Sequence, residues 1–371
     1  MLIKVRNEKL FTALQLGALH LRNRMVMAPL TRTRAGEAGV PGDLLVEYYR
    51  QRASLGLIVT EGTWPVREGR TWIGQPGIET PEQIAGWRRV TDAVHEAGGS
   101  IVMQIMHGGR ISHPQISGTG RIVAPSAIAA PDTIRVPDGE VEHPVPHALT
   151  TDEIGGIVAG IVAAARNAIE AGLDGVEVHS ANGYLLHQFL APTSNTRTDE
   201  YGGSPANRVR LSIEAVTAVA KAIGADRTGV RISPARNIQG VLETDPADVA
   251  ATYNALAEGL APLALAFVDI LHPDPSGDLV QNFRRVVAAS SIVNTGAGSV
   301  TTREESIRLV EDGLADAVGI GRPTIANPDL LARWLHDTDE NSHDPSTFYV
   351  GGPRGYIDYP AFEHAGKKVD D

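Results

Sequence analysis

Three residues able to do polar chemistry stand close together in the run His179-Ser180-Ala181-Asn182-Gly183-Tyr184. A histidine and an amide can aim two hydrogen-bond donors at one oxygen, and beside them a phenol, with an ordinary pKa of about 10, can give up a proton. Such a set could polarise a carbonyl-type oxygen and protonate a carbon nearby. The same six residues also fit a strand-end histidine satisfied by backbone and a tyrosine packed on a rim. Metal ligation by His179 and His187 is a third reading, disfavoured because no carboxylate stands by as a third ligand.

Two glycine-rich runs lie late in the chain, Asn294-Thr295-Gly296-Ala297-Gly298 and Gly319-Ile320-Gly321-Arg322-Pro323. Glycine backbone N–H groups can cradle a phosphate, and an arginine adds bidentate hydrogen bonds. Gly296 to Gly298 lacks the third glycine of a dinucleotide fingerprint, so a Rossmann-type NAD site is unsupported. Arg231 lies inside the apolar run Val230-Arg231-Ile232-Ser233. A buried cation needs an anionic partner, which could be an internal carboxylate such as Glu61 or Glu177, or an anionic ligand.

These residues need a scaffold that brings distant segments together. Short β-branched and aliphatic runs alternate with amphipathic segments from about residue 24 to residue 336, the pattern of repeated βα units. Strands are expected over Arg24–Ala28, Leu57–Thr60, Ser100–Met106, Asp174–His179, Thr228–Ser233, Ala266–Leu271, Ser291–Asn294 and Asp316–Ile320. Thr80-Pro81, Ser204-Pro205, Asp245-Pro246 and Asn327-Pro328 each put a capping oxygen before a proline at a first helical position. Thr150 with Glu153, and Thr301 with Glu304, have capping-box spacing. Eight strands, each followed by a helical segment, predict an α/β fold of the closed (β/α)8 TIM-barrel type, with an open α/β sheet as the alternative.

An insertion of about 107–149, with a hairpin around Pro137-Asp138-Gly139, interrupts the repeat after the third strand, and a tail of about 341–371 follows it. In a barrel the insertion would cover the mouth, where polar strand-end residues collect. The last several residues of the tail are expected to be disordered.

Composition narrows the chemistry. The chain of 371 residues carries 44 acidic and 33 basic side chains, a net charge of −11, with no cysteine. Disulfides, thiolate zinc sites, cysteine-ligated iron–sulfur clusters and cysteine nucleophiles are excluded together. Any redox chemistry therefore uses a bound organic cofactor. The acidic balance and the lack of a dense basic block give no footprint for nucleic acid or anionic membrane. The stretch Met1 to Glu8, interrupted by charge, lacks a signal peptide's apolar core, and Ile154 to Ala165 is too short to span a bilayer. A cytoplasmic protein is expected.

The chain resembles the Old Yellow Enzyme family of FMN-dependent ene-reductases over nearly its whole length. The resemblance is carried by Asn23 to Arg32 (Asn-Arg-Met-Val-Met-Ala-Pro-Leu-Thr-Arg), Gln104 to Arg110, Gly175 to Gln188, Asn195 to Ser204 with Asn207-Arg208, Gly319 to Leu330, and Gly355 to Pro360. It implies one FMN-binding barrel domain over 1–371, with the flavin tightly but not covalently held. Ala28, Pro29 and Gly62 would pack against the flavin ring, with Thr31 near its C4 carbonyl, Gln104 at its pyrimidine edge and Arg231 at the N1/C2 edge. Gly296, Gly298, Gly321 and Arg322 would form the phosphate site. His179 and Asn182 would bind the substrate's activating oxygen, Tyr184 would donate a proton, and Met106 and Tyr356 would line the substrate pocket. The implied reaction takes hydride from NADPH or NADH and reduces an electrophilic alkene by a ping-pong route. Met106 stands where many family members have tryptophan, which implies a reshaped pocket.

Overall fold

A computed structural model describes residues 8–296 and 299–362. Eight parallel strands close into a barrel in chain order: β1 (Met25–Met27), β2 (Leu57–Val59), β3 (Ile101–Ile105), β4 (Gly175–Ser180), β5 (Thr228–Ile232), β6 (Phe267–Leu271), β7 (Ser290–Asn294) and β8 (Ala317–Ile320). Each expected strand is present, to within one residue at either end. Their sequences read as near-continuous apolar runs because both faces are covered, by helices outside and by packed side chains within. The charged and amide residues that break those runs, at 104, 177, 179, 231 and 269, are therefore held in the interior by the strands.

The outer layer holds α1 (Asp43–Gln51), α2 (Pro81–Glu96), α3 (Thr151–Glu170), a short α4 (Leu185–Leu190), α5 (Arg210–Ile223), α6 (Pro246–Leu260), α7 (Asp278–Val287), α8 (Arg303–Glu311), a short α9 (Arg322–Ala326) and α10 (Leu330–His336). Thr80 and Thr150 form full capping boxes with Gln83 and Glu153, and Ser204 and Asp245 cap as expected. Each such cap contributes about 1 kcal/mol. Two expectations are corrected. The cap of α8 is Thr302, bonded to the amide of Glu305, one residue later than Thr301 with Glu304. Asn327 closes α9 instead of opening a helix, because its side chain turns back to Pro323 O at 2.9 Å.

An antiparallel hairpin that the βα pattern did not reveal, Leu14–Leu16 with Leu19–Leu21, seals the N-terminal end of the barrel. Leu16, Leu19 and Leu21 pack against Val26, Leu57, Val59, Val102, Phe267 and Ile292. At the other end the insertion forms a one-turn helix (Pro114–Ser117), a two-residue ladder (Val123–Ala124 with His147–Ala148) and the expected hairpin (Thr133–Val136 with Gly139–Glu142). Through residue 362 the tail is tied to the barrel by arginines. Arg32 donates to Gly355 O (2.7 Å), Arg34 to Thr347 O (2.8 Å) and Arg333 to Pro360 O (2.9 Å). The expected disorder at the chain's end concerns residues outside the described ones. Among the described residues no helix is long and apolar enough to cross a membrane.

Candidate active site

Parallel register does the first part of the assembly. His179 on β4 pairs with Arg231 on β5, which pairs with Asp269 on β6, while Glu177 pairs with Gln104 on β3. Residues two apart along β4 point to the same side, so Glu177 lies one layer below His179.

After β4 the backbone makes two consecutive left-handed steps, Asn182 at φ +56° and Gly183 at φ +82°. Asparagine tolerates this region better than most side chains, and glycine does so freely. Both amides are held: Asn182 N–H donates to Ser233 Oγ (2.8 Å) and Gly183 N–H to His187 Nδ1 (2.9 Å). The Gln188 amide donates to Gly183 O (2.8 Å) and Gly108 O (3.0 Å). A Cβ at Gly183 would meet Ile238 O at 3.0 Å, so the loop after β5 lies directly on this turn.

The turn brings two of the three sequence-predicted side chains, His179 and Tyr184, next to one another, with Asn182 between them in the chain. His179 is buried, its ring centroid 5.5 Å from that of Tyr184, and its Nδ1 has no partner. Burial drives its pKa well below the usual histidine value, and the charges of Arg231 and His187 act in the same direction, so the imidazole is neutral. Asn182 Oδ1 is likewise buried and unpartnered. Burial raises the Tyr184 pKa, partly offset by hydrogen bonding to Trp72 and Gln239, so the phenol keeps its proton at neutral pH. His187 is occupied elsewhere. Its Nε2 lies 3.5 Å from Glu243 Oε2, and Glu243 also accepts from Tyr253 Oη (3.0 Å) and Ala235 N–H (2.7 Å).

Inside the barrel, Gln104 Nε2 donates to Glu177 Oε1 at 2.8 Å, and Arg231 Nε lies 3.3 Å from Asp269 Oδ2. The internal partner of Arg231 is thus Asp269, in place of the Glu61 or Glu177 anticipated from sequence. Glu61 instead accepts the backbone N–H groups of Arg32 and Thr33, both at 3.0 Å. Burial and the neighbouring Asp269 charge push Glu177 well above the usual carboxylate range, burial raises Asp269 as well, and Arg231 draws both back down, so the two carboxyls titrate as a pair beside Arg231.

At the rim, Ala28 is buried with its N–H on Ile320 O (3.0 Å), whereas Pro29 and Thr31 are half-buried. Gly62 leaves room for Met106: a Cβ there would meet the Met106 sulfur at 2.7 Å. Met106 packs with Ile111, Ala130, Trp72 and Tyr184, so the residue in the tryptophan position touches the phenol's own cluster. Arg322 reaches across from the start of α9 to Ser299 O (3.3 Å), joining the two glycine-rich loops. The amide of Gly296 is engaged by Asn294 Oδ1 (2.7 Å), and Gly298 lies outside the described residues. Tyr356 is fully buried, stacked on Tyr48 (centroids 4.0 Å apart, planes at 7°) and flanked by Arg32 and Arg34. The tail residue within electrostatic reach of Tyr184 is the exposed Tyr349.

Sequence reasoning missed Asp269, Trp72, Gln239 and the Glu243–Tyr253 pair. Asp269 alone had a signal, as a charge inside the apolar run Phe267-Val268-Asp269-Ile270-Leu271. As assembled, the mouth presents a neutral imidazole, a protonated phenol next to it, and a cation on the adjacent strand.

Residues 9–341 match the model of the NADH:flavin oxidoreductase / NADH oxidase family. The chain is 44% identical to a probable flavin mononucleotide-dependent alkene reductase of Leishmania infantum, the alignment covering 94% of this chain and 96% of that one. Among solved structures, an Old Yellow Enzyme homologue from Zymomonas mobilis superposes with a TM-score of 0.89 at 38% identity, covering 95% of this chain and 99% of the other. Morphinone reductase in complex with tetrahydroNAD does so with a TM-score of 0.89 at 42% identity, covering 97% and 99%. The chain belongs to the NADH:flavin oxidoreductase / NADH oxidase family and is an FMN-dependent, NAD(P)H-dependent flavin oxidoreductase of the Old Yellow Enzyme type.

Proposed function

We propose that this enzyme reduces the activated C=C bond of α,β-unsaturated carbonyl compounds, with nitroalkenes and nitrate esters as further acceptors, by a ping-pong mechanism in the cytoplasm. The observation that carries this reading is a buried, neutral His179 whose Nδ1 has no partner, its ring centroid 5.5 Å from that of a phenol that burial keeps protonated.

The residues present suit FMN. Arg231 is a buried cation whose Nε makes an ion pair with Asp269 but no hydrogen bond, Pro29 and Thr31 expose part of their surface at the rim, and Arg322 stands over the two glycine-rich loops. In this reading Ala28, Pro29, Thr31, Gly62, Gln104 and Arg231 hold the ring, and Gly296, Gly298, Gly321 and Arg322 hold the phosphate. Gly296 would take part by releasing Asn294. When bound, FMN supplies the two-electron relay that NAD(P)H and the alkene use in turn.

The protein's own work lies in positioning and protons. His179 and Asn182 hydrogen-bond the substrate's activating oxygen and stabilise the negative charge that develops there, as an oxyanion hole does. A neutral histidine suits this role, since it offers a donor without adding a second cation beside Arg231. Tyr184 Oη delivers its proton to the substrate α-carbon. Its raised pKa means that only a strongly basic carbon takes that proton, which ties protonation to the moment the substrate is reduced. Arg231 holds positive charge next to the reacting groups, with Asp269 and Glu177 setting its balance. Met106 and Tyr356 shape the pocket, the first at the Tyr184 cluster and the second through the Tyr48 stack.

The test is an anaerobic spectral titration of the purified holoenzyme with NADPH or NADH, followed by 2-cyclohexenone. Bleaching of the flavin absorbance by nicotinamide and its return with the enone is the expected result. A flavin that bleaches and does not recover with enones, nitroalkenes or nitrate esters would overturn the reading.

A further inference from the structure

The loop after β5 carries a cation that the reaction above does not use. Ala235, left-handed at φ +55°, folds the chain back so that Arg236 N–H reaches Ser233 O at 3.2 Å. Ser233 is also the residue whose hydroxyl holds Asn182. Gln239, again left-handed at φ +55°, lies against Gly183 and close enough to the Tyr184 phenol to favour its ionised form. The loop thus forms a wall of the site, and the Arg236 guanidinium lies within electrostatic reach of both Tyr184 and Arg231.

Arg236 is half-buried, its Nε is shut off from solvent without a hydrogen-bond partner, and no carboxylate pairs with it among the described residues. The acids nearby are engaged. Asp269 faces Arg231, and Glu243 accepts from Ala235 N–H and Tyr253. Arg110 adds another cation without an acid; it is buried and donates to Ile128 O (3.2 Å) and Gln239 O (3.3 Å). The mouth therefore carries excess positive charge in a chain of net charge −11. A partly desolvated cation beside a like charge is costly, and an anion brought by the ligand removes that cost. We propose that Arg236 receives a carboxylate on the substrate, so that unsaturated oxo acids are the preferred class, with the oxo oxygen on His179 and Asn182. A planar guanidinium suits a carboxylate bidentately. Its place beside Tyr184 points to the substrate, because the phosphate at the adenosine end of NADPH lies far from the reacting nicotinamide ring.

The proposal rests on the ene-reductase reading, and the test separates the two. The kcat/KM values for 4-oxopent-2-enoate and its methyl ester are compared in the wild-type holoenzyme, in Arg236→Gln and in Arg236→Lys. Calorimetry with the saturated acid 4-oxopentanoate and its methyl ester runs alongside. The acid-to-ester ratio is expected to fall tenfold or more in Arg236→Gln, by turnover and by affinity, and to stay within a few-fold in Arg236→Lys, which keeps the charge. A ratio that stays within twofold in Arg236→Gln overturns the proposal. So does an intact ratio with a lost preference between NADPH and NADH, which would assign the guanidinium to the nicotinamide phosphate. A wild-type enzyme that reduces neither compound, nor 2-cyclohexenone, nor nitroalkenes or nitrate esters would sink the ene-reductase reading, while the calorimetric ratio would still decide the role of Arg236.

Discussion

At the N-terminal end of the barrel, Leu16, Leu19 and Leu21 fill the space between Val26, Val59, Val102 and Ile292; at the C-terminal end, the equivalent space is bounded by Gln104, His107, His179, Asn182, Arg231 and Tyr184. The first set is carbon packed on carbon. The second includes buried polar atoms at His107, His179 and Asn182 with no hydrogen-bond partner, the Arg231–Asp269 ion pair, and a left-handed asparagine. Unpartnered buried polar groups cost about 1–3 kcal/mol each, so the mouth is tolerated only because the sealed end and the helical layer stabilise the fold. The contrast separates the part of the barrel that holds the fold from the part that is poised for a ligand.

Substitutions at the two ends should therefore fail differently. Tyr184→Phe is expected to lower alkene reduction by about 10²–10⁴-fold. Flavin bleaching by NADPH and the unfolding midpoint should stay close to wild type, since only a hydroxyl is lost; stopped-flow of the two half-reactions reads this directly. Leu16→Ala should do the reverse, costing about 2–5 kcal/mol in urea unfolding through the cavity it leaves, with turnover of the folded fraction retained. Comparable activity losses in both variants would erase the distinction between the ends.

Acid should weaken the polar end first. Burial lowers the His107 pKa to about 4, below the unfolded value of about 6.5. As the pH falls through that window the unfolded chain takes up the proton before the folded one. The stabilisation is complete above about pH 6.5 and is lost toward pH 4, at about 1.4 kcal/mol per pH unit. The slope of unfolding free energy against pH should be shallower over this range in His107→Gln than in wild type.

Two smaller effects sharpen the boundary within the polar end. His187→Leu leaves the Gly183 N–H without its acceptor and removes the imidazole from beside Glu243, which keeps Tyr253 and the Ala235 N–H, for an expected cost of about 1–3 kcal/mol. Because the turn it braces carries Asn182 and Tyr184, kcat for enones should fall more than the binding of a saturated ketone. Met106→Trp puts a larger ring against Gly62 and Tyr184, at about 1–3 kcal/mol for the added volume. Its signature is a changed substrate profile or product stereochemistry, read by chiral chromatography. An unchanged profile would mean that Met106 does not shape the pocket.

Much of this molecule was legible in the chain. Strand runs that stay apolar on both faces and capping residues such as Thr80 and Thr150 follow from rules that act within a few residues, and they were read to within one residue. The His179–Tyr184 run was legible for the same reason, since a single turn places all three side chains. Local reading failed where a residue has two plausible partners. Thr301 and Thr302 both precede a glutamate at the right spacing, and the buried Thr301 hydroxyl lies 3.3 Å from that of Thr295 while Thr302 caps α8. Asn327 could cap forward or backward, and its contact with Pro323 O settles it.

Residue types and local spacing by themselves determined the alternation of strand and helix, the absence of thiol chemistry and the identity of the strand-four cluster. Tertiary structure alone decided which charges meet. Arg231 pairs with Asp269, 38 positions away, because parallel register sets them side by side. Burial and the Asp269 charge raise the Glu177 pKa well above the usual carboxylate range, against the pull of Arg231. The Glu243–Tyr253–His187 brace and the approach of Arg236 to Tyr184 depend on how the loop after β5 folds over the β4 turn. Charge balance and bracing depend on distances across the barrel, and those distances exist only once it has closed.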